Sequence, residues 1–310
     1  MAKRKRKKKG LHLKRLLALL VLLVLAALGI YGYACSRIVH VDYVDAYISG
    51  LSPFLEGTRV LFASDFKITG EKSARDSVKL MQTLCEANPD IVLLGGDYTG
   101  MSLSDLFRAQ TQEGRAAIND RLKSARETFF SGLAGLSVPG GIYAVSGDAD
   151  VSVEGLYQDC ALGRVTLLEN ATHRAMVNDS PILIVGCAFT SAFGSRAFQF
   201  QNATDAGTVL VLAHNPDASK QISTVKDENG NAMADLIFCG HTLGGQVNLF
   251  GKCLMTAAGA YNGDFPAGLY DENDKKSLVK MLVSSGVGSD WLPFRLGSRA
   301  QVYMVTLHRK

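Results

Sequence analysis

The chain has 310 residues, 47% of them hydrophobic, which is enough to bury a sizeable core and sets disorder aside. Its net charge of +4 is unevenly placed: residues 3 to 15 hold nine Lys or Arg, so the remainder carries 24 basic against 29 acidic residues and sits near −5. A nucleic-acid-binding face is therefore not expected.

Directly after the basic run, residues 16–34 form an uncharged, leucine-rich stretch long enough to cross a bilayer as one helix. An uncleaved signal anchor, a cleaved signal peptide and a lipid-modified Cys35 are the competing readings. The stretch is longer than a usual signal core, and Tyr31-Gly32-Tyr33-Ala34-Cys35-Ser36 makes a poor cleavage site, which favours the anchor. The organisation expected is a basic cytoplasmic tail over 1–15, a transmembrane anchor over 16–34 and one domain over 40–310. By the positive-inside rule the domain lies outside the cell membrane, with lipid as the helix's partner.

Residues 38–58 alternate in polarity and predict an edge strand. Arg59 to Ala63 is an apolar strand that ends at Asp65. Residues 72–87 read as an amphipathic helix, stopped by Asn88-Pro89-Asp90. Ile91 to Leu94 is a second buried strand, and it ends at Gly96-Asp97. This is a β-α-β unit with an acid beyond each strand, and in open α/β sheets functional groups gather at such carboxyl ends. Residues 102–135 are polar and helical. Gly141 to Ser146 repeats the pattern and ends at Gly147-Asp148-Ala149-Asp150, where Asp150 is expected to cap the following turn. Strands are also expected over 165–168, 182–186, 209–214, 236–239, 278–284 and 301–307.

Two of the late strands end in histidine. One reaches His214-Asn215-Pro216; the other, Leu236 to Cys239, reaches Gly240-His241-Thr242-Leu243-Gly244-Gly245, a turn suited to a metal or phosphate pocket. Six widely scattered cysteines fit neither a zinc finger nor a disulfide scaffold, and some pairing among them stays open. His40, His173 and His308 have no motif context and are taken as surface residues, and Trp291 with Pro293 and Phe294 is taken to pack a C-terminal turn.

In order, Asp65, Gly96-Asp97, Gly147-Asp148-Ala149-Asp150, His214 and Gly240-His241-Thr242-Leu243 resemble the five metal-binding blocks of the calcineurin-like metallophosphoesterases, most of all their membrane-anchored or exported bacterial branch. The resemblance runs from about residue 40 to the C-terminus. It implies an α/β fold, a two-sheet αββα sandwich preceded here by one N-terminal transmembrane helix, and a hydrolase of phosphoesters.

The family pattern holds two ions, and this chain departs from it at four positions: Lys67, Asp148, Ala149 and Leu243. For the first ion the resemblance implies Asp65, residue 67, Asp97 and residue 243. Lysine and leucine there remove both nitrogen ligands, so that site is degenerate and its ion is expected to be absent. The Lys67 ammonium is expected to fill the space and hold Asp65 and Asp97 together. For the second ion it implies Asp97, Asp148, His214 and His241, a set that suits one manganese, iron or zinc. Ala149 stands where the family has a histidine beside the leaving group, a proton donor typically worth about a hundredfold to ten-thousandfold in rate. Two readings follow: a phosphoesterase with one metal or an impaired site, and a catalytically inactive pseudoenzyme that binds or scaffolds at the cell envelope.

Overall fold

A computed structural model describes residues 2–188, 207–226, 230, 232–249, 252–255, 265–271 and 279–310. The first helix, α1 (Ala2–Arg37), contains one segment long and apolar enough to span a membrane, His12–Arg37. It runs past the expected end at residue 34, and its last turns dock on the domain. The backbone N–H of Arg295 donates to the Gly32 carbonyl at 2.9 Å, and that of Ala300 to Cys35 at 3.0 Å.

Among the described residues two six-stranded sheets form the body. Within the first, β2 (Arg59–Ala63), β3 (Ile91–Leu94), β4 (Ile142–Ala144) and β5 (Thr166–Leu167) run parallel. On the other side of β2 lies antiparallel β14 (Gln301–Arg309), and outside that β1 (His40–Ile48), the edge strand that the alternating pattern predicts. In the second sheet β7 (Ser180–Cys187), β8 (Val209–Ala213), β9 (Leu236–Cys239) and β13 (Met281–Val283) run parallel. Antiparallel β6 (Ala171–Val177) and β12 (Gly268–Tyr270) close its edges. A small ribbon, β10 (Val247–Leu249) with β11 (Lys252–Met255), follows the glycine-rich turn. The strand expected over 278–284 is Met281–Val283, and Leu278 lies outside the described residues.

The two-residue repeat of a strand sorts the core into three layers. Val60 and Phe62 on β2 face Leu236 and Phe238 on β9 in the space between the sheets, where the two phenyl rings meet at 5.3 Å. Their neighbours Leu61 and Ala63 point outward, under α2 (Glu71–Cys85) and α4 (Gln112–Leu133), against Met81, Phe129 and Phe130. Ile237 and Cys239 point outward from the second sheet, toward Ile222 of α6 (Ala218–Ile222). Helix, sheet, sheet, helix is the order expected. No disulfide is formed among the described residues.

Candidate metal centre

Because β2, β3 and β4 are parallel neighbours, their carboxyl ends deliver Asp65, Asp97 and Asp148 to one edge of the first sheet. Neighbouring β8 and β9 deliver His214 and His241 to the matching edge of the second. The edges touch at Gly240, where a Cβ would lie 1.9 Å from Ser64 Oγ and 2.4 Å from Asp65 Oδ2. Only glycine fits there, since the strand must pass against Asp65.

Four of the residues converge. Asp97, Asp148, His214 and His241 each offer a ligand atom within 4.8 Å of the others. Asp148 Oδ1 lies 3.1 Å from both His214 Nε2 and His241 Nδ1, those nitrogens are 3.2 Å apart, and Asp97 Oδ2 is 3.5 Å from His214 Nε2. A tetrahedral ion with bonds of about 2.0–2.1 Å spaces its ligands roughly 3.3–3.4 Å apart, so this donor set fits one ion of the zinc or manganese kind. His214 Nδ1 donates to the Gly95 carbonyl at 2.7 Å. That bond leaves Nε2 as the atom turned to the cluster, the orientation a ligating imidazole needs.

The other half of the site is filled differently. Lys67, buried, forms a short charge-assisted bond to Asp97 Oδ2, and its second partner is Asp290 Oδ1 at 3.5 Å. Asp65 is not its partner, contrary to expectation. Asp65 turns Oδ2 to the Ser64 hydroxyl at 2.5 Å and to the His241 N–H at 3.0 Å, and its buried Oδ1 has no partner among the described residues. Leu243 is fully buried and offers the site no donor. Ala149 contributes only its backbone N–H, which donates to Asp97 Oδ1 at 2.8 Å.

Electrostatics follow from burial and these partners. Burial opposes charge on Asp97, but Lys67 and then His214 outweigh it and hold the carboxyl at about 2. Burial likewise opposes charge on His214, and Asp97 and Asp148 more than reverse it, raising its pKa well above the ordinary value. Asp148 is held well below the usual carboxylate range against its desolvation, through hydrogen bonds to His214 and His241. Desolvation prevails at Asp65 and raises it. Charge pairing around the buried His214 imidazole thus draws the two carboxylates of the cluster together.

Backbone strain marks the same place. Asp65, Lys67, Asp97, His241 and Leu243 adopt left-handed φ values of 53°, 49°, 58°, 70° and 51°. Such conformations cost on the order of 1–3 kcal/mol each and gather where a site imposes them. Lys67 and Leu243, which offer no ligand, share this left-handed backbone with Asp65, Asp97 and His241.

Three contributors escaped the reading of the sequence. Asp150 does not cap the turn after it; Oδ2 accepts from Asp97 N (2.7 Å) and Gly147 N (2.9 Å), and Oδ1 from Tyr98 N (3.1 Å). Burial, then the charge of Asp97, pushes its carboxyl up to about 7. Arg295 is buried behind the Gly-His turn and donates to the carbonyls of Leu243 (3.0 Å), Ser285 (2.7 Å) and Gly288. Desolvation lowers its pKa to about 10. Asp290 adds a fourth carboxylate to Asp65, Asp97 and Asp148. Trp291 is exposed rather than packed; Phe294 does the packing, its ring pressed on Gly32 of α1.

A two-sheet sandwich with aspartates on one sheet edge and histidines on the other defines a protein of the metallophosphoesterase type. No family model matches the chain. A zebrafish (Danio rerio) "transmembrane protein with metallophosphoesterase domain" is 25% identical over 297 residues, covering 91% of this chain and 60% of that protein. The chain thus spans less than two thirds of that relative's length. An uncharacterised Bacillus subtilis protein, YpbG, is 34% identical over 101 residues, 32% of this chain and 30% of its own. Among solved structures, the Thermus thermophilus protein TT1561 aligns with a TM-score of 0.38 at 12% identity, over 74% of this chain and 90% of that one. The chain is thus similar to a metallophosphoesterase relative over most of its length, and its apolar helix and transmembrane relative together suggest a membrane protein.

Proposed function

We infer that the chain is a membrane-anchored metallophosphoesterase-family hydrolase that works with one divalent ion and turns phosphoesters over slowly. The observation that carries this reading is the convergence of Asp97, Asp148, His214 and His241, whose ligand atoms all lie within 4.8 Å of one another, with Asp148 and the two imidazoles spaced at 3.1–3.2 Å and Asp97 at 3.5 Å from His214. These residues would hold the ion, which when bound supplies Lewis acidity to a phosphoryl oxygen and to water. His214 is aimed by its bond to Gly95, Asp148 bridges the two imidazoles, and Asp150 fixes the loop that carries Asp97. Lys67 supplies the fixed positive charge on the side of the missing ion, paired with Asp97.

Slow turnover follows from charge. With Asp290 counted, four carboxylates face one lysine and one dication, leaving about one negative charge where a family site has an excess of about two positive. A phosphoester is drawn weakly, and no side chain at position 149 protonates the leaving group.

A second reading, a pseudoenzyme, draws on one observation: the Lys67–Asp97 pair needs no ion to be satisfied. Metal counting on the purified full chain, with hydrolysis of an aryl phosphodiester in manganese, separates the two. Near one ion per chain and slow hydrolysis lost in His241→Ala is the expected result; under about a tenth of an ion per chain refutes the one-metal site. One ion without turnover leaves the pseudoenzyme. The anchor itself, with α1 uncleaved and its basic end cytoplasmic, is part of the same proposal, because that end carries the positive-inside signal.

A further inference from the structure

A cavity of about 390 Å³, in the size range of small-molecule sites, lies between the end of α1 and the wall of the metal centre. Ser36 and Arg37 of the helix line one part of it, Lys67 and Asp290 another, and Met101 and Trp291 also line it. Its height relative to a bilayer is set by the helix. The apolar stretch ends at Ala34, so at 1.5 Å per residue Arg37 lies ~4–5 Å beyond it. The headgroup layer on each side of the hydrocarbon is about 5–7 Å deep, so the cavity falls within it.

The domain cannot tilt freely away from that position. Arg295 N and Ala300 N are bonded to carbonyls of Gly32 and Cys35, and a Cβ on Gly32 would meet the Phe294 ring at 2.1 Å. The strap therefore grips α1 at the level of the apolar stretch itself. Around it the surface is unusually apolar: Ile38, Met101, Leu103, Phe107 and Trp291 are all exposed, and Leu103 and Phe107 stand one helical turn apart on α3 (Leu103–Arg108). Apolar side chains beside a membrane helix, with a tryptophan among them, are what an interfacial face carries.

The ionic lining selects among occupants. Lys67 and Asp290 bond to each other. Arg37 and Asp76 also line the cavity; the Arg37 guanidinium sits over the Tyr33 ring at 5.4 Å and forms no ion pair among the described residues. One cation and one anion left facing the same space suit a ligand bearing both charges, whereas a free phosphate or an anionic lipid would engage Arg37 and offer Asp76 no ammonium.

We propose that this cavity seats the headgroup of a zwitterionic glycerophospholipid from the surrounding bilayer, its phosphodiester toward Arg37 and its ammonium toward Asp76. Binding rests on α1 being a retained anchor and needs no turnover. Only if the metal centre hydrolyses does the same lipid become the class of phosphodiester presented to it.

Trp291 is the chain's single tryptophan and reports on the cavity directly. The full chain, its α1 confirmed by intact mass, is placed in nanodiscs of phosphatidylcholine brominated near the glycerol end of its acyl chains. Strong quenching of Trp291 is expected. In detergent micelles, soluble dihexanoylphosphatidylethanolamine should shift Trp291 emission saturably. Dihexanoylphosphatidylglycerol and inorganic phosphate should act at least about tenfold more weakly, and Arg37→Gln should weaken the first lipid by about tenfold, the scale of one charge-assisted contact. Metal content of Arg37→Gln should equal the parent's, which keeps this outcome separate from that of the metal site. Three results overturn the proposal: no quenching with α1 intact, equal or better binding of inorganic phosphate, or a mature chain that has lost α1.

Discussion

Replacing Lys67 by methionine tests whether the ammonium stands in for an ion. The substitution keeps the length of the side chain and deletes its charge. Asp97 is fully buried and Lys67 is 7% exposed, so the variant leaves a carboxylate in the interior with only the His214 imidazole to offset its charge. Removing one partner of such a pair costs about 3–5 kcal/mol. The largest influence lowering Asp97 is Lys67, so its carboxyl should climb from about 2 and become partly protonated, which relieves part of the cost. Asp290 keeps contact with solvent and adds little. In a domain of this size 1 kcal/mol is worth roughly 2–3 °C, so the metal-stripped variant should unfold ~6–15 °C below the parent. Manganese supplies the comparison: if charge at this spot is what the loops require, ~1 mM ion should raise the variant's midpoint by more than it raises the parent's, since only the variant lacks the Lys67 charge beside Asp97. Thermal unfolding of the full chain in detergent, after chelation and after metal addition, reads both. A chelated variant within ~2 °C of the parent would show that the pair does not hold the site together.

Further outcomes follow from the same structure. Lys67→His with Ala149→His and Leu243→His should raise metal content from about one ion per chain toward two, because the left-handed backbone at 67 and 243 is already in place; no gain would mean that the pocket has closed. Arg295→Met leaves the carbonyls of Ser285 and Gly288 without their guanidinium donor, at about 1–3 kcal/mol each, while Leu243 keeps Ser298 Oγ and Gln246 N; the unfolding midpoint and yield should fall, with Arg295→Lys recovering part of the loss. Asp235 lies away from the metal centre, and burial lifts its carboxyl to about 6. A raised acid binds its proton more tightly in the fold, so stability is greatest below the unfolded pKa near 4 and falls as pH rises to about 6. Asp235→Asn, which can still accept from Val209 N, should flatten that fall and gain at most about 3 kcal/mol at neutral pH, seen as midpoints compared at acidic and neutral pH.

What could be read from the sequence divides along a physical line. The strands were legible because each is a run such as Val60 to Ala63 or Leu236 to Cys239, buried on both faces and stopped by glycine or an acid. Their carboxyl ends then placed Asp65, Asp97, His214 and His241 at two edges, because parallel neighbours end on the same side. The orientation of individual side chains was not legible. Asp65 was expected to share Lys67, yet one oxygen is committed to the backbone N–H of His241, 176 residues away, and no local pattern encodes that bond. Asp150, the last residue of its block, looked like a turn cap because Asp at such a position usually is one. Its three donors sit on Gly147 and on the Asp97 loop, and only the pairing of β3 with β4 brings that loop within reach.

Arg295 shows how the two ends of the chain are joined. Its backbone N–H is bonded to Gly32 in the membrane helix, while its guanidinium holds the carbonyl of Leu243 in the turn that carries His241. One residue therefore ties the anchor to the metal-bearing turn through its own covalent frame. In the sequence it stands amid Pro293, Phe294 and Leu296 with no motif around it. Most of its partners are carbonyl oxygens, which every residue possesses, with the Ser289 and Ser298 hydroxyls beside them, so the composition of the segments it bridges carries little trace of the contact. A basic residue in an apolar C-terminal loop is the one available signal: a buried guanidinium that forms no ion pair must spend its donors on carbonyls and hydroxyls.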